Sequence, residues 1–339
     1  MKRKANFTHF RDALGTPELL IDLLQANGPY DLWIKRVFPT EEAYRAVNPH
    51  HQPGDPHAPT FRADLAYGNK VLMSGAEPIL HNPLFIEQAS KLFDSSIVVP
   101  ELIYANLSGP VPRSGAIEGA HCDTPNFRGL DKDESPYWLL HVMNHSGLFE
   151  RWQVNTATAV CWYYRGEGGE FWCWPNGPES NPMAIPPAWN SGIMADNDHM
   201  FHTPGPCGSP PFRSIAGMTI DSAIRGDGTG KWIIENAGDP VVSYEAGDVR
   251  LALYWRAEVF RDEKERQICD EHLDDISIDE AINILISDMA GRGIDIDPGN
   301  DPLNNGELIT RVSQTYAVTP PLVHPGKSAW ASAGADAPD

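Results

Sequence analysis

Basic residues are scarce in this 339-residue chain, where 26 Lys and Arg stand against 46 Asp and Glu for a formal net charge of −20. Nucleic-acid binders draw affinity from clustered Lys and Arg that displace counterions from phosphates, so no nucleic-acid partner is expected. Long apolar runs are missing too: nothing approaches the roughly eighteen residues that a membrane-spanning helix needs. The opening MKRKANFTHF is basic but leads into no apolar segment, so neither a secretion signal nor a membrane partner is expected, and the expected location is cytoplasmic. Cysteines are few and odd in number (Cys122, Cys161, Cys173, Cys207 and Cys269), and none stands in C-x-x-C spacing. Reduced thiols are therefore expected, not disulfides or a cysteine-ligated zinc.

Glycine and proline are plentiful, at 29 and 30 residues, and 41% of the chain is hydrophobic. That combination favours many short strands and ordered loops around a large core over helical bundles. Residues 1–95 read as a helical buttress of the same domain, with a helix from Pro17 to about Gln25, a second after Thr40 and a third over Pro83 to Phe93. Between them NPHHQPGDPHAPT, residues 48–60, reads as a Pro- and His-rich loop. From 96 to 260 short apolar, aromatic runs such as SIVVPELIYANL, YWLLHVMN, TATAVCWYY and VRLALYWRAEVF suggest the strands of a sandwich or jelly roll. Residues 261–318 turn helical again, with Ser277 and Glu280 spaced as a capping box, and 319–339 read as a disordered tail. The fold class expected is mainly β with flanking helices.

The sharpest chemical feature is His121-Cys122-Asp123, which follows a strand-like run. On an extended segment residues i and i+2 share a face, so the imidazole and the carboxylate can converge on one ion while Cys122 points away. A third ligand is offered by His202, at the end of the apolar run in GIMADNDHMFHTPGP. His199 competes for that role, but His202 is preferred because it stands at the strand end, before the Thr-Pro-Gly-Pro turn. Two histidines and a carboxylate make a facial triad suited to Fe(II), leaving positions open for other ligands. His141 and His145 have the spacing of a helical zinc pair, but no Glu follows His141 and YWLLHVMN reads as a strand, so they are expected to be structural. Most of the aromatics from Trp138 to Trp174 are expected to pack the core.

With these residues the sequence resembles the Fe(II)/2-oxoglutarate-dependent dioxygenases of the double-stranded β-helix (jelly-roll, cupin-like) fold. The resemblance rests on His121-x-Asp123, the distal His202, the GGEFWCWP run before it and a later arginine on a strand, and it spans roughly residues 100–260. It implies an oxygenase with His121, Asp123 and His202 as iron ligands, 2-oxoglutarate as cosubstrate and O2 as oxidant, releasing succinate and CO2, most commonly with hydroxylation. The family binds the far carboxylate of the cosubstrate with an arginine near the start of the last core strand, and two residues compete for that place. Arg213 lies eleven residues after His202, near the family's usual separation, whereas Arg250 opens a much clearer strand with Arg250, Ala252 and Tyr254 on one face but requires an insertion over 207–247. The family's chlorinating members replace the carboxylate ligand, so Asp123 argues against halogenation. Abundant aromatics with few spare basic residues suggest a small, partly apolar organic substrate, a protein substrate remaining open. Two other readings stand beside this one: a cupin-type metal enzyme that does not use 2-oxoglutarate, and a non-catalytic small-molecule-binding jelly roll. The sequence sets no oligomeric state.

Overall fold

The computed structural model describes residues 6–55, 57–110, 119–208 and 215–321. The chain opens with β1 (Phe7–Arg11), α1 (Pro17–Ala26), a two-residue β2 (Tyr30–Asp31) and α2 (Glu41–Val47). It continues through β3 (Thr60–Tyr67), β4 (Lys70–Val71), α3 (Glu77–Leu80) and α4 (Pro83–Phe93). The start signals act as their chemistry dictates: the Thr40 hydroxyl accepts from Ala43 N–H, and Asn82 accepts from Leu84 N–H ahead of Pro83. Residues 6–95 are more than a helical buttress, because β1, β3 and β4 extend the main sheet.

The central run holds β5 (Ile97–Ser108), β6 (Asn126–Phe127), α5 (Tyr137–Ser146), β7 (Gln153–Tyr163), β8 (Phe171–Trp174), β9 (Met183–Ile185), β10 (Ser191–Ala195) and β11 (Phe201–Pro204). Then come β12 (Ser222–Gly226), β13 (Lys231–Asn236), β14 (Asp239–Glu245) and β15 (Arg250–Phe260), followed by α6 (Glu263–Asp270), α7 (Ile278–Gly291) and α8 (Gly306–Tyr316). The main sheet has the order β1-β10-β7-β15-β5-β3-β4, antiparallel throughout. A second sheet, β11-β8-β9, gains a fourth member where His121 bridges His202. Along the chain the core strands alternate between sheets: β5 in the main one, the His121 segment in the second, β7 back, β8 and β9 across, β10 back, β11 across and β15 back. This alternation is the connectivity of a double-stranded β-helix, and the sheets do not close into a barrel.

Strand alternation decides what each face does. Leu251, Leu253, Trp255 and Ala257 of β15 face a core built with Leu20, Leu24, Leu80, Phe85 and Ala89 of α1, α3 and α4. The opposite face, with Val160, Trp162, Ile193, Ala195 and Ala252, packs on Phe171 and Cys173 of the second sheet and on Met200. The roll interior is thus an apolar floor with the polar members of β15 and β5 beside it.

Two segments depart from expectation. YWLLHVMN is the helix α5, not a strand: Pro136 precedes it and Gly147 stops it at φ +71. Leu139, Leu140, Val142 and Met143 bury one face of α5 against α7 and α8, forming a second core with Phe127, Phe149, Leu285, Leu308 and Val312. The part of 207–247 that is described builds the meander β12–β14, joined by β2 into a four-stranded sheet whose Ile224, Trp232 and Ile234 pack into the core beside α1. Arg213 and most of the expected tail lie outside the described residues. Helices α6 to α8 occupy the stretch from Glu263 to Tyr316, and Ser277 and Glu280 form a reciprocal capping box. Among the described residues, no helix is long and apolar enough to cross a membrane.

Candidate functional site

The site begins as a backbone pairing. His121 N–H donates to His202 O at 3.0 Å and His202 N–H donates to His121 O at 2.9 Å, while Asp123 N–H donates to Asn197 O at 2.9 Å. This ladder sets the two imidazole rings 4.6 Å apart between centroids, and the ligand atoms of His121, Asp123 and His202 all lie within 4.8 Å of one another. The structure therefore brings together the three residues that the sequence singles out. His202 Nε2 stands 3.5 Å from Asp123 Oδ1, a few tenths of an ångström beyond the roughly 3.0 Å between neighbouring ligands of one octahedral ion at bond lengths of about 2.1 Å.

Both histidines are held in one tautomer. Nδ1 of His121 lies 2.7 Å from Gly119 O, and Nδ1 of His202 lies 3.0 Å from Met200 O. A carbonyl only accepts, so each Nδ1 carries a proton and Nε2 is the nitrogen turned toward the neighbouring ligand atoms, the arrangement usual for metal-ligating histidines. Phe171 stacks on the His202 ring at 5.3 Å and 19°, fixing its plane. The Thr158 hydroxyl donates to Asp123 Oδ2 at 3.4 Å. Burial pushes the Asp123 carboxyl up, but the His202 and Arg256 charges outweigh it and hold the group well below its ordinary value. Burial and the neighbouring His202 lower His121; for His202, burial lowers and the Asp123 carboxylate raises, with a net rise. Cys122 faces the other way, among Trp172, Trp174 and Phe201, as alternation predicts.

His199 sits in the turn before β11, with Nδ1 2.8 Å from Asp196 Oδ1 and Nε2 3.2 Å from Gln153 Nε2. It is not in the convergent group.

Arg250 is the first residue of β15 and only 2% exposed. Its Nε donates to Gly169 O at 2.8 Å, while Nη2 is buried without a hydrogen-bond partner. Asn106 Oδ1 and Trp162 Nε1, both buried, are likewise without partners. Tyr254, two pleats along β15, feels the charges of both Arg250 and Asp123. The roll interior therefore carries a guanidinium nitrogen with unmet hydrogen-bonding capacity on the strand face that leads toward the His–Asp–His group, chemistry suited to an anionic oxygen.

Some contributing residues were not singled out from the sequence. Arg256 donates to Thr124 O at 2.9 Å and to Thr156 Oγ1 at 3.3 Å, and lies 3.6 Å from Asp198 Oδ1. Extending the β15 alternation from Arg250 and Tyr254 would have reached it. Asp198, 1% exposed, is pushed up to about 7 by burial, with the Asp123 and Asp196 carboxylates adding to the rise and Arg256 opposing it. His141, on α5, is lowered by burial and lies within electrostatic reach of Asp123. No sequence pattern brings α5 to this mouth.

No family model and no curated protein matches the chain. Solved structures share its general shape at low identity. An oxidoreductase of the 2OG-Fe(II) oxygenase family from Burkholderia pseudomallei is 12% identical over 76% of this chain and 85% of that one, with a TM-score of 0.39. A prolyl hydroxylase from Trichoplax adhaerens, in complex with a hypoxia inducible factor peptide, is 12% identical over 77% and 86%, with a TM-score of 0.36. A Pseudomonas putida prolyl-4-hydroxylase is 10% identical over 76% and 93%, with a TM-score of 0.30. These likenesses are distant, and the fold assignment rests on the strand order itself.

Proposed function

We propose that this chain is an Fe(II)/2-oxoglutarate-dependent oxygenase that hydroxylates a small, partly apolar organic molecule, with release of succinate and CO2. The observation that carries the reading is the convergence of His121, Asp123 and His202, with both Nε2 atoms freed by Nδ1–carbonyl hydrogen bonds, at one end of a roll whose interior holds Arg250 with an unpartnered Nη2. Two imidazoles and a carboxylate are a fitting donor set for Fe(II). Arg250 would take the far carboxylate of 2-oxoglutarate, and Arg213 is the alternative for that role. When bound, iron with the 2-oxo acid supplies the oxidising power for C–H hydroxylation by O2.

The chain's own residues bind, orient and shield. Asp123, close to the Arg256 guanidinium, is held in its ionised, ligating form. Phe171 and the Met200 carbonyl lock the His202 ring. The apolar floor of Val160, Ile193 and Ala252 keeps water from the interior, which strengthens every charge interaction there. The decisive experiment is anaerobic addition of Fe(II) and then 2-oxoglutarate to the metal-free protein, followed by optical absorption. A weak visible charge-transfer band that disappears in His202→Ala supports the proposal. Iron uptake without the band would move the reading to a cupin-type enzyme that does not use 2-oxoglutarate, and no uptake would leave a non-catalytic binder.

A further inference from the structure

The Pro- and His-rich loop between α2 and β3 has a second convergent group. Glu41, the first residue of α2, aims its two carboxylate oxygens at two different histidines: Oε1 lies 3.0 Å from His51 Nε2 and Oε2 lies 2.8 Å from His57 Nε2. The ligand atoms of all three residues fall within 4.8 Å of one another, the closeness also seen in the His121, Asp123 and His202 group. His57 and His51 keep 3% and 12% of their side chains exposed, and Glu41 27%. The two rings lie 4.6 Å apart, and Tyr44, one turn along α2, packs edge-on against both at 4.9 Å.

We propose that Glu41, His51 and His57 form a second metal site, for a first-row divalent cation of the zinc type, that staples the 48–60 loop to the start of α2. Two imidazoles and one carboxylate are a common three-residue set for zinc, with a fourth position left to water. A plain His–Glu clasp accounts for the group less well. His51 Nε2 is buried and close to Oε1, yet its geometry is not that of a hydrogen bond, and among the described residues it has no hydrogen-bond partner. A buried nitrogen facing a carboxylate without a hydrogen bond is a costly arrangement unless something bridges the two. A cation between them satisfies His51, His57 and the Glu41 charge at once. Ligands of one tetrahedral ion stand about 3.3 Å apart at bond lengths of about 2.0–2.1 Å, so the side chains need to open by only a few tenths of an ångström.

Residues 48–55 are already shaped to hold His51 in place. His51 N–H donates to Asn48 O at 3.0 Å and Asp55 N–H to Gln52 O at 3.0 Å, while Gln52 N–H donates to the Asp55 carboxylate at 2.8 Å. Thr40 caps the turn that carries Glu41. Little chain ordering is left to be done on binding, which favours affinity. The loop then runs into β3, where Pro59 O accepts from Gly109 N–H at 2.8 Å and Thr60 pairs with Ser108, the residue that on its other side pairs with Arg250. The staple would therefore steady the sheet edge beside the mouth of the roll.

The test uses the full chain carrying His121→Ala and Asp123→Ala, which silences the first group, dialysed to equilibrium against Zn2+ alone and assayed for bound metal. One equivalent is expected, falling below a tenth when Glu41→Gln or His51→Ala is added, with circular dichroism verifying the fold. No uptake by the chain bearing only the His121 and Asp123 substitutions would overturn the proposal, as would uptake that Glu41→Gln and His51→Ala leave unchanged. Should the added substitutions unfold the protein, zinc-edge X-ray absorption of the silenced chain reads the ligands directly. Two imidazoles and a light oxygen donor are expected, and a sulfur-containing or all-oxygen shell would overturn it. The metal count is independent of the charge-transfer band, so failure of the proposed oxygenase function and failure of this site are told apart.

Discussion

His121 and His202 exchange both backbone hydrogen bonds across a single antiparallel bridge, and this one pair of bonds sets their rings side by side, tilted by 50°, from 81 positions apart. The two side chains are thus placed by main-chain geometry and need no salt bridge to hold them. Alanine at His121 or at Asp123 should abolish iron binding and turnover, a loss of more than about 100-fold in metal affinity, while the far-ultraviolet circular dichroism stays that of the parent. Full activity in both variants would sink the assignment.

Arg250 offers one nitrogen to Gly169 and keeps another unpaired. Hydrogen bonds to charged groups are worth about 1.5–3 kcal/mol each, so Arg250→Ala should raise the half-saturating 2-oxoglutarate concentration by roughly 10- to 100-fold, with iron uptake unchanged. Arg250→Lys should recover part of the loss, because it restores the charge without the planar fork. An unchanged 2-oxoglutarate requirement in Arg250→Ala would shift the role to Arg213.

Gly169 sits at φ +75, and a Cβ there would meet Arg250 Cδ at 2.8 Å and Arg250 Nε at 2.9 Å. A left-handed alanine costs about 1–2 kcal/mol on its own, and the clash adds displacement of the guanidinium. Gly169→Ala should therefore lower the unfolding midpoint and weaken 2-oxoglutarate binding together, without altering the metal content. A variant that loses stability alone would separate Gly169 from the cosubstrate site.

Glu258, on the inward face of β15, is pushed up to about 7, first by burial and then by the neighbouring Glu101 carboxylate. A carboxyl whose folded pKa is raised binds its proton more tightly in the native state, so the folded protein loses stability as pH rises from the unfolded value near 4.5 through about 7, and the curve is flat above. Glu258→Gln should stabilise the metal-free protein at pH 8 by about 1–2 kcal/mol, discounted for partial exposure, and have almost no effect at pH 4. Urea unfolding at the two pH values tests this, and equal effects at both would refute it.

The site was largely legible in the sequence because its parts obey short-range rules. His121 and Asp123 share a strand face by alternation, Arg250 opens a strand whose period is unbroken over Ala252 and Tyr254, and Ser277 with Glu280 announces a helix start. Legibility failed where the deciding partner lies far along the chain. Leu139, Leu140, Val142 and Met143 fit a buried strand as well as a helix face, and only packing against α7 and α8 selects the helix. That choice brings His141 toward Asp123. The pairing of His51 and His57 with Glu41 is hidden for the same reason: a loop rich in Pro and His says where it bends, not which carboxylate it meets.

The distance along the chain between His121 and His202 has a further consequence for how the protein is made. β7, β8, β9 and β10 all lie between them, so the two rings meet only after those strands have been synthesised. If the group binds iron as proposed, a chain clipped before β11 would lack the third ligand, His202, and would hold the ion only weakly. On the proposed reading, loading of the metal would be deferred until the strands from β5 to β11 have been made, and β15, which fills the gap between β5 and β7 and brings Arg250, would arrive last.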